Sequence, residues 1–293
     1  MQMAWPPAHP ALTPLNLGLL KAQRPPVDNL TRLLAMPPEH LARLLQLPFT
    51  AVAELRSSLL AQYAPTPRPA LALYDCTPPA LVSTGSAALD ALLGGGLRCG
   101  AVTEIFGGAG VGKTQVCLAA AAASASTGGT VAYIDTGGDF DATRLQKVVA
   151  ARGGAAAAMA RVVVAAARDP DELVAALQQV AALRPRLVVV DGLTAPLLPL
   201  VIDSRLPKAF EAGGKVTQLL HRLAATGAPP AVLVTGRLRG GREGAAPALG
   251  GVLRGLAHTR LHLGLVGEGE VAVRRVRGGV GDCVIGLGEG GVV

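Results

Sequence analysis

Short apolar runs recur along the middle of the chain, and each is followed by a longer segment whose apolar residues have helical spacing. Such runs, bounded by turn residues, are typical of strands buried on both faces, and the intervening segments are long enough for helical crossovers. The pattern therefore predicts a parallel sheet with helices on both faces. The predicted strands are residues 101–106, 131–135, 161–164, 187–191 and 231–235.

The C-terminal part of the chain contains three closely spaced apolar segments, residues 261–266, 270–276 and 282–287, separated by Gly-rich turns. Connections this short cannot hold a crossover helix, so we predict antiparallel strands that extend the sheet. The predicted fold class is therefore α/β.

Helix signals also precede the predicted sheet, between residues 28 and 63. Asp28 and Thr50 can each cap a helix, and Pro38 suits the first turn of another. The prolines that follow predict an extended tether. We therefore predict a small N-terminal helical domain over residues 1–63, a Pro-rich linker over 64–80 and a core domain over 81–293.

The composition narrows the possible partners only slightly. A net charge of +7 suits a polyanionic partner, although a protein that uses arginine for solubility explains it nearly as well. No apolar stretch is long enough to span a bilayer, and the N-terminus lacks the basic start of a secretory signal, so we expect a soluble intracellular protein without a membrane partner. The cysteines occur singly, which predicts packing residues rather than disulfides or a zinc site.

One segment fits the phosphate-binding pattern G-x-x-x-x-G-K-[ST] between a predicted strand and a predicted helix. In such a loop the backbone N–H groups point at phosphate oxygens, the lysine adds a charge near the β and γ groups, and the hydroxyl reaches Mg²⁺. The alternative is a Gly-rich turn that happens to precede Lys-Thr. The segment consists of Gly107, Gly108, Ala109, Gly110, Val111, Gly112, Lys113 and Thr114.

Acidic residues at the ends of two predicted strands supply the remaining chemistry. Asp191 ends an apolar run downstream of the loop, where a carboxylate can hold hydrated Mg²⁺, so Thr114 and Asp191 form the predicted metal pair. Hydrolysis also needs a group that orients water. Asp135 and Asp139 are the candidates, at the end of the first predicted strand after the phosphate loop. Asp135 can equally cap its own turn, which leaves Asp139 as a weak catalytic candidate.

Further residues around the loop resemble the ATP domain of RecA-type recombinases in their eukaryotic form. The resemblance covers about residues 81–266, and within the family the segment around the loop looks most like the D-type paralogue. It rests on Ser83-Thr84-Gly85, Leu89-Asp90, residues 92–97, Gly100, Thr103-Glu104-Ile105, the phosphate loop and Gln115.

The resemblance implies a fold, ligands and a role. It implies a RecA-like P-loop NTPase core that binds ATP and Mg²⁺ in the nucleus and acts in homologous-recombination repair of DNA double-strand breaks. It also implies single-stranded or branched DNA and other recombinase paralogues in a hetero-oligomeric complex as partners. Gln115 and Arg144 match family positions at the nucleotide, although an exposed helix arginine is an equally good interpretation of Arg144.

Two departures from the family pattern bear on hydrolysis. Gly137 stands where active members have the water-orienting glutamate. The family's polar γ-phosphate sensor, usually in Thr-Asn-Gln or Thr-Asn-His, is replaced by Thr235-Gly236-Arg237. We therefore expect weak ATP hydrolysis or none. A DNA-stimulated ATPase with strand-exchange activity, using Asp139, and an ATP-stabilised scaffold that does not bind DNA remain the alternatives.

Two segments correspond to the family's DNA-facing loops. The first spans about residues 196–214 and carries Arg205 and Lys208, and the second carries Arg237, Arg239 and Arg242. Arginines in a Gly-rich loop can pair with phosphates without a fixed register, which suits sequence-independent binding of a single strand. The alternative is a solvated loop that is rich in arginine for no functional reason.

Overall fold

The computed structural model describes residues 12–23, 26–27, 30–63, 80–225, 228–239, 246–288 and 290–292. The chain divides into two compact units, Met1–Pro78 and Pro79–Val293. Among the described residues, no helix has the length and apolar character needed to cross a membrane.

The first unit contains short helices around a leucine-rich core. The hydroxyl of Thr13 accepts a hydrogen bond from the Asn16 N–H, and Pro14 occupies the first turn, so an additional helix forms that the sequence patterns did not predict. The last helix starts at Phe49, so the prediction that Thr50 caps it is wrong, and Asp28 lies outside the described residues. The helices are α1 (Pro14–Lys21), α2 (Leu30–Ala35), α3 (Pro38–Leu45) and α4 (Phe49–Tyr63).

The second unit is built on a nine-stranded sheet and a separate strand pair. All five predicted parallel strands are present, with ends that differ from the prediction by two residues at most. The strands are β1 (Leu81–Val82), β2 (Leu97–Arg98), β3 (Val102–Gly107), β4 (Val131–Asp135), β5 (Val162–Ala166), β6 (Leu187–Asp191), β7 (Ala231–Arg237), β8 (Thr259–Gly267), β9 (Glu270–Arg277), β10 (Asp282–Gly288) and β11 (Gly291–Val292).

The strand order is β11-β10-β9-β8-β3-β7-β6-β4-β5, and β1 pairs with β2 in the small sheet. Strands from β8 to β5 in this order run parallel, and β9, β10 and β11 add antiparallel strands at one edge. The predicted antiparallel extension is thus confirmed, except that β8 is also parallel to its neighbour β3. The mostly parallel α/β architecture agrees with the predicted fold class.

Helices cover both faces of the parallel part. Side chains alternate between the faces, so Val189 packs into one apolar cluster and its neighbours Val188 and Val190 pack into the other. Residues 196–214, predicted as a loop, are largely helical. The helices are α5 (Ala87–Leu93), α6 (Lys113–Ser126), α7 (Ala142–Ala151), a 3₁₀ helix (Ala156–Arg161), α8 (Pro170–Leu183), α9 (Leu198–Ile202) and α10 (Leu206–Ala224).

The central strands end together at one edge of the sheet. In the register of neighbouring strands, Gly107 lies opposite Arg237 and Asp135 lies opposite Asp191. Ligands of open α/β sheets bind outside the carboxyl ends of their strands, so a ligand site is expected at this edge of the sheet.

Candidate functional site

A cavity of about 1070 Å³ lies at this edge and contains most of the predicted nucleotide residues. Its wall includes all residues of the phosphate loop except Val111, whose side chain is buried in the core. The remaining lining residues are Gln115, Gly137, Asp139, Arg144, Gly192, Ala195, Thr235, Gly236, Arg237, Leu238, Leu287 and Gly288.

The glycines at both ends of the phosphate loop are required by its packing. A side chain at Gly107 would bring its Cβ to 2.5 Å from the carbonyl oxygen of Leu263 on the neighbouring strand. Gly112 has a φ of 88°, in the left-handed region, and its Cβ would lie 2.5 Å from Leu287 Cδ1. The loop therefore passes tightly between β3 and α6 and keeps its backbone at the cavity surface.

The backbone N–H groups of residues 109–115 have no hydrogen-bond acceptor within the described part of the chain. They belong to the turn that leads into α6, and the cap residue of that helix supplies no side-chain hydrogen bond to them. A helix start with unsatisfied N–H groups attracts an anion through its dipole and its donors. The donor set thus fits the phosphate groups of a nucleotide.

Lys113 places a cation in the middle of this loop. Its Nζ donates hydrogen bonds to the carbonyl oxygens of Gly107 and Gly108. Burial lowers the pKa of the Lys113 ammonium, the Asp191 carboxylate opposes this effect, and Arg237 lowers the pKa further. The charges of Asp191 and Arg237 therefore act on this ammonium in opposite directions.

Asp191 is fixed from both sides by hydroxyl groups. Tyr133 Oη donates to Asp191 Oδ2 over 2.8 Å, and Thr235 Oγ1 donates to Asp191 Oδ1 over 2.6 Å. Burial and the Asp191 carboxylate raise the pKa of the Tyr133 hydroxyl, which stays a donor. The carboxylate is buried behind the cavity wall, with a fixed orientation.

The predicted metal pair fits Mg²⁺ in its chemistry. Thr114, in the first turn of α6, lines the cavity, and its hydroxyl has no hydrogen-bond partner among residues that the structure describes. Mg²⁺ prefers oxygen ligands and retains several waters, so one hydroxyl and one carboxylate behind a water shell are suitable partners. The described residues contain no cluster of three or more His, Cys, Asp or Glu side chains that could hold another metal.

Asp135 serves the turn after β4 rather than the cavity. Its Oδ1 accepts hydrogen bonds from the N–H groups of Gly137, Gly138 and Asp139, and its Oδ2 accepts one from Phe140. This arrangement is the capping role that the sequence left open for Asp135. The turn presents Gly137 and Asp139 to the cavity.

The Asp139 carboxylate occupies the space beside Gly137. A Cβ built at Gly137 would lie 2.9 Å from Asp139 Oδ2. Asp139 is therefore the carboxylate closest to the position where the family has its glutamate, and it lines the same cavity as Lys113.

The nucleotide candidates downstream of the loop differ in environment. Arg144 is exposed in the first turn of α7 and lines the cavity. Gln115 is buried, and its Oε1 has no hydrogen-bond partner in the described part of the chain. A buried unpaired oxygen next to the cavity is available to a ligand or to water.

The predicted DNA-binding residues that the structure describes lie on different elements of the fold. Arg205 precedes α10 and pairs with Asp203 at 3.5 Å, and Lys208 is exposed in the first turn of the helix. Arg239 is exposed after β7, whereas Arg237 lines the phosphate cavity. Arg242 lies outside the described residues.

Three side chains that sequence reasoning did not assign contribute to these surfaces. Tyr133 and Thr235 orient Asp191 across neighbouring strands, and no sequence spacing signals such a contact. Phe210 is 53% exposed on α10, close in sequence to Lys208, and could stack on a base. An aromatic residue two positions after a lysine was a usable signal within the predicted DNA segment.

The cysteines of the second unit agree with a packing role. Cys117 is buried in α6, and burial raises its pKa well above the ordinary thiol value. Cys99 and Cys283 are half-buried free thiols, and Cys76 lies outside the described residues.

Comparison with known proteins agrees with this geometry. The Rad51 family model matches residues 80–198, which include the phosphate loop and Asp191. The mouse "DNA repair protein RAD51 homolog 4" is 39% identical over 132 residues, which are 44% of this chain and 36% of the relative. "DNA repair and recombination protein RadB" of Halobacterium salinarum is 43% identical over 114 residues, which are 38% of this chain and 48% of the relative.

The matched segment thus spans between about a third and a half of the length of these relatives. The residues that the family model matches include β3, the phosphate loop, β4 and β6, whereas the cavity residues of β7 and β10 lie outside the match. Residues 80–198 of this chain are therefore similar to the Rad51 family, whose model matches them.

Proposed function

We propose that the protein is an ATP-binding RecA-like recombinase paralogue in homologous-recombination repair of DNA double-strand breaks. The carrying observation is the convergence of the phosphate loop, Lys113 and Asp191 at one edge of the sheet. The relatives' names, which refer to DNA repair and recombination, support the same role. Nuclear residence and a position near the D-type paralogue follow from the same resemblance.

In this proposal the N–H groups of the loop and Lys113 hold the phosphates, Arg144 lies against the base, and Gln115 contacts the nucleotide through its unpaired Oε1. Thr114 and Asp191 hold Mg²⁺, which, when bound, neutralises charge on the phosphate oxygens. Tyr133 and Thr235 keep the Asp191 carboxylate oriented through their hydroxyl groups.

Weak hydrolysis, or none, follows from the residues available to orient water. Gly137 has no side chain, and both Asp135 oxygens accept backbone hydrogen bonds in the turn. ATP then acts mainly as a ligand that stabilises the folded state and a surface for a sister paralogue, because any ligand that binds only the folded state raises its stability.

A purified full-length chain, titrated with ATP and Mg²⁺ and then with a single-stranded oligonucleotide, tests the proposal directly. We expect saturable binding of both, with ATP turnover close to the background rate. Absence of ATP binding would overturn the proposed site, and absence of DNA binding would favour the ATP-stabilised scaffold.

A competent DNA-stimulated ATPase is the second candidate function, and the position of Asp139 in the cavity favours it. If Asp139 orients water, Asp139→Asn should reduce DNA-stimulated turnover by about 10²-fold, within the usual range for loss of a general base. ATP turnover should be measured with and without single-stranded DNA, with Asp141→Asn as a control because Asp141 caps α7 outside the cavity lining. Background turnover in the wild-type chain, unaltered by Asp139→Asn, would exclude this second function.

Besides Arg237, which also lines the phosphate cavity, four cations are proposed to contact the DNA backbone: Arg205, Lys208, Arg239 and Arg242. Each phosphate contact makes the slope of log binding constant against log salt concentration more negative by about 0.7 for a single strand. A variant with all four residues changed to glutamine should therefore have a markedly flatter slope. The measurement is oligonucleotide affinity at several salt concentrations.

The matched control for this experiment changes Arg222 and Arg254, two exposed arginines outside the predicted DNA segments, to glutamine. We expect the control to keep most of the wild-type slope. Equal slopes for the wild type and the fourfold variant would show that these residues do not contact phosphates.

A further inference from the structure

A second pocket, of about 620 Å³, lies beside the C-terminal half of α10 and shares no lining residue with the phosphate cavity. This half of the helix leads to the start of β7, whereas the phosphate cavity lies where β7 ends. The pocket, called the α10 pocket below, therefore belongs to the opposite edge of the sheet. Its polar and charged lining residues are Thr217, Gln218, His221, Arg222 and Arg254.

The charged residues of the α10 pocket are both arginines. Arg222 and Arg254 are exposed, and neither forms a salt bridge with any residue that the structure describes. The lining of the pocket contains no aspartate or glutamate. Two positive charges thus line one pocket without a carboxylate to neutralise them.

The surroundings of the α10 pocket are basic as well. The ring of His221 contacts the ring of His258, with 5.3 Å between their centroids. Burial lowers the pKa of His258, and the charges of His221, Arg277 and Arg98 lower it further. The neighbours that act most strongly on His258 are therefore all basic. Such a concentration of positive charge attracts anions.

A hydroxyl group of the α10 pocket is left unsatisfied in the free protein. The Oγ1 atom of Thr217 is buried and has no hydrogen-bond partner in the described part of the chain. Threonines inside helices often donate to the carbonyl oxygen one turn earlier, and Thr217 does not. A buried hydroxyl without a partner costs free energy, and a ligand oxygen at the floor of the pocket would recover part of it.

A phosphate monoester suits these groups better than other common anions. It carries about two negative charges at neutral pH, which match the two guanidinium groups of the pocket. Its terminal oxygens accept the paired hydrogen bonds that a guanidinium fork donates. A carboxylate, or one phosphate of a nucleic-acid backbone, supplies less charge to the same pair of arginines.

The other lining residues favour a peptide as the carrier of the phosphate. The Gln218 amide can both donate and accept hydrogen bonds, and so can a peptide group, whereas a phosphodiester backbone only accepts. Val252 and Ala225 add an apolar wall suited to a side chain beside the phosphorylated residue. A free phosphate ion would fill only a small part of the pocket volume.

We propose that the α10 pocket binds a phosphorylated serine or threonine in a peptide segment of a partner protein. In this assignment Arg222, Arg254 and the Thr217 hydroxyl donate hydrogen bonds to the phosphate, and Gln218 pairs with a neighbouring peptide group. The pocket is separate from the proposed nucleotide site, so a partner could be held there while ATP is bound. Phosphorylation of the partner would then control its attachment.

The test is fluorescence anisotropy of the full chain with a short labelled peptide library that has a fixed central phosphoserine, and with the same library lacking the phosphate. The phosphorylated library should bind at least about tenfold more tightly. Arg222→Gln and Arg254→Gln should each lower this affinity about tenfold, the usual effect of a lost charge-assisted hydrogen bond.

Thr217→Val separates a ligand contact from a structural role. Valine keeps the shape of threonine and removes the unpaired hydroxyl, so the free protein should lose no stability in thermal unfolding. Affinity for the phosphorylated library should nevertheless fall by about threefold or more.

Lys215→Gln is the matched control, because Lys215 is an exposed lysine of the same helix outside the pocket lining, and this variant should bind like the wild type. Thermal unfolding checks that each variant is folded. Equal affinities for the two libraries, undetectable binding of both, or unaltered affinity in the folded arginine variants would overturn the inference.

Two competitors identify the source of the phosphate. Inorganic phosphate should displace the phosphorylated library only at much higher concentration than an unlabelled phosphopeptide, and equal potency would overturn the inference in favour of a free-anion site. A single-stranded oligonucleotide that loses most of its affinity when Arg222 and Arg254 are changed would overturn it in favour of nucleic acid. None of these outcomes bears on the nucleotide site, which depends on other residues.

Discussion

Replacing Lys113 with alanine is expected to abolish ATP binding at ordinary ligand concentrations. The ammonium lies within the phosphate loop, where it contacts the carbonyl oxygens of Gly107 and Gly108 and is close enough to Asp191 to feel its charge. Loss of a charged donor that serves two phosphate groups should lower affinity by about 10²-fold or more. Calorimetry with ATP and Mg²⁺ measures this loss.

Thermal unfolding gives an independent measure of the same change. A ligand at a hundred times its Kd stabilises the folded state by about 2.7 kcal/mol, so the wild type should unfold at a clearly higher temperature when ATP is added. Lys113→Ala should lose this shift, whereas Lys215→Ala, which changes an exposed lysine paired with Glu211, should retain it. Unchanged ATP affinity in a folded Lys113→Ala variant would contradict the site assignment.

Asp191→Asn is expected to remove the dependence of ATP affinity on Mg²⁺ and also to destabilise the protein. Both carboxylate oxygens accept hydrogen bonds from hydroxyl groups, Tyr133 Oη and Thr235 Oγ1. An asparagine amide has one oxygen and one NH₂ group. One of the two hydroxyl groups would therefore meet the NH₂ group and lose its hydrogen-bond acceptor in a buried site. Such a mismatch typically costs about 1–3 kcal/mol.

The two effects of Asp191→Asn are measured separately. Chemical unfolding gives the loss of stability, and ATP affinity with and without Mg²⁺ gives the metal dependence. Asp203→Asn, at an exposed aspartate paired with Arg205, should change neither by more than a few tenths of a kcal/mol. A persistent Mg²⁺ effect in Asp191→Asn would show that another group holds the metal.

The parallel strands could be predicted because strands that are buried on both faces consist of nearly continuous apolar residues. The runs 131–135 and 187–191 were predicted with the bounds that the structure has, since both faces of these strands are covered and every residue is apolar or ends the strand. The phosphate loop was predictable for a related reason. Its glycines are required by local backbone geometry and by close approach to Leu263 and Leu287. Both requirements exclude other residue types, so the glycines are visible in the sequence.

The helices of the first DNA segment were harder to predict. Residues 196–214 contain turn residues, and the polar and charged residues around Arg205 obscure a helical pattern. In the structure, α10 begins at Leu206 and buries Val216 and Leu220 in the apolar cluster that also contains Val188 of β6. Tertiary packing of this face outweighs the weak local signal.

The sequence by itself determined the chain order of the five parallel strands, the phosphate loop and the presence of an aspartate at the end of β6. These features depend on local geometry and on the alternation of apolar residues, both of which are readable along the chain. Only the tertiary structure decided which side chains meet at the edge of the sheet. Tyr133 and Thr235 orient Asp191, Asp135 serves its own turn, and Arg237 lines the same cavity as Lys113, because strand register joins residues that are distant in sequence.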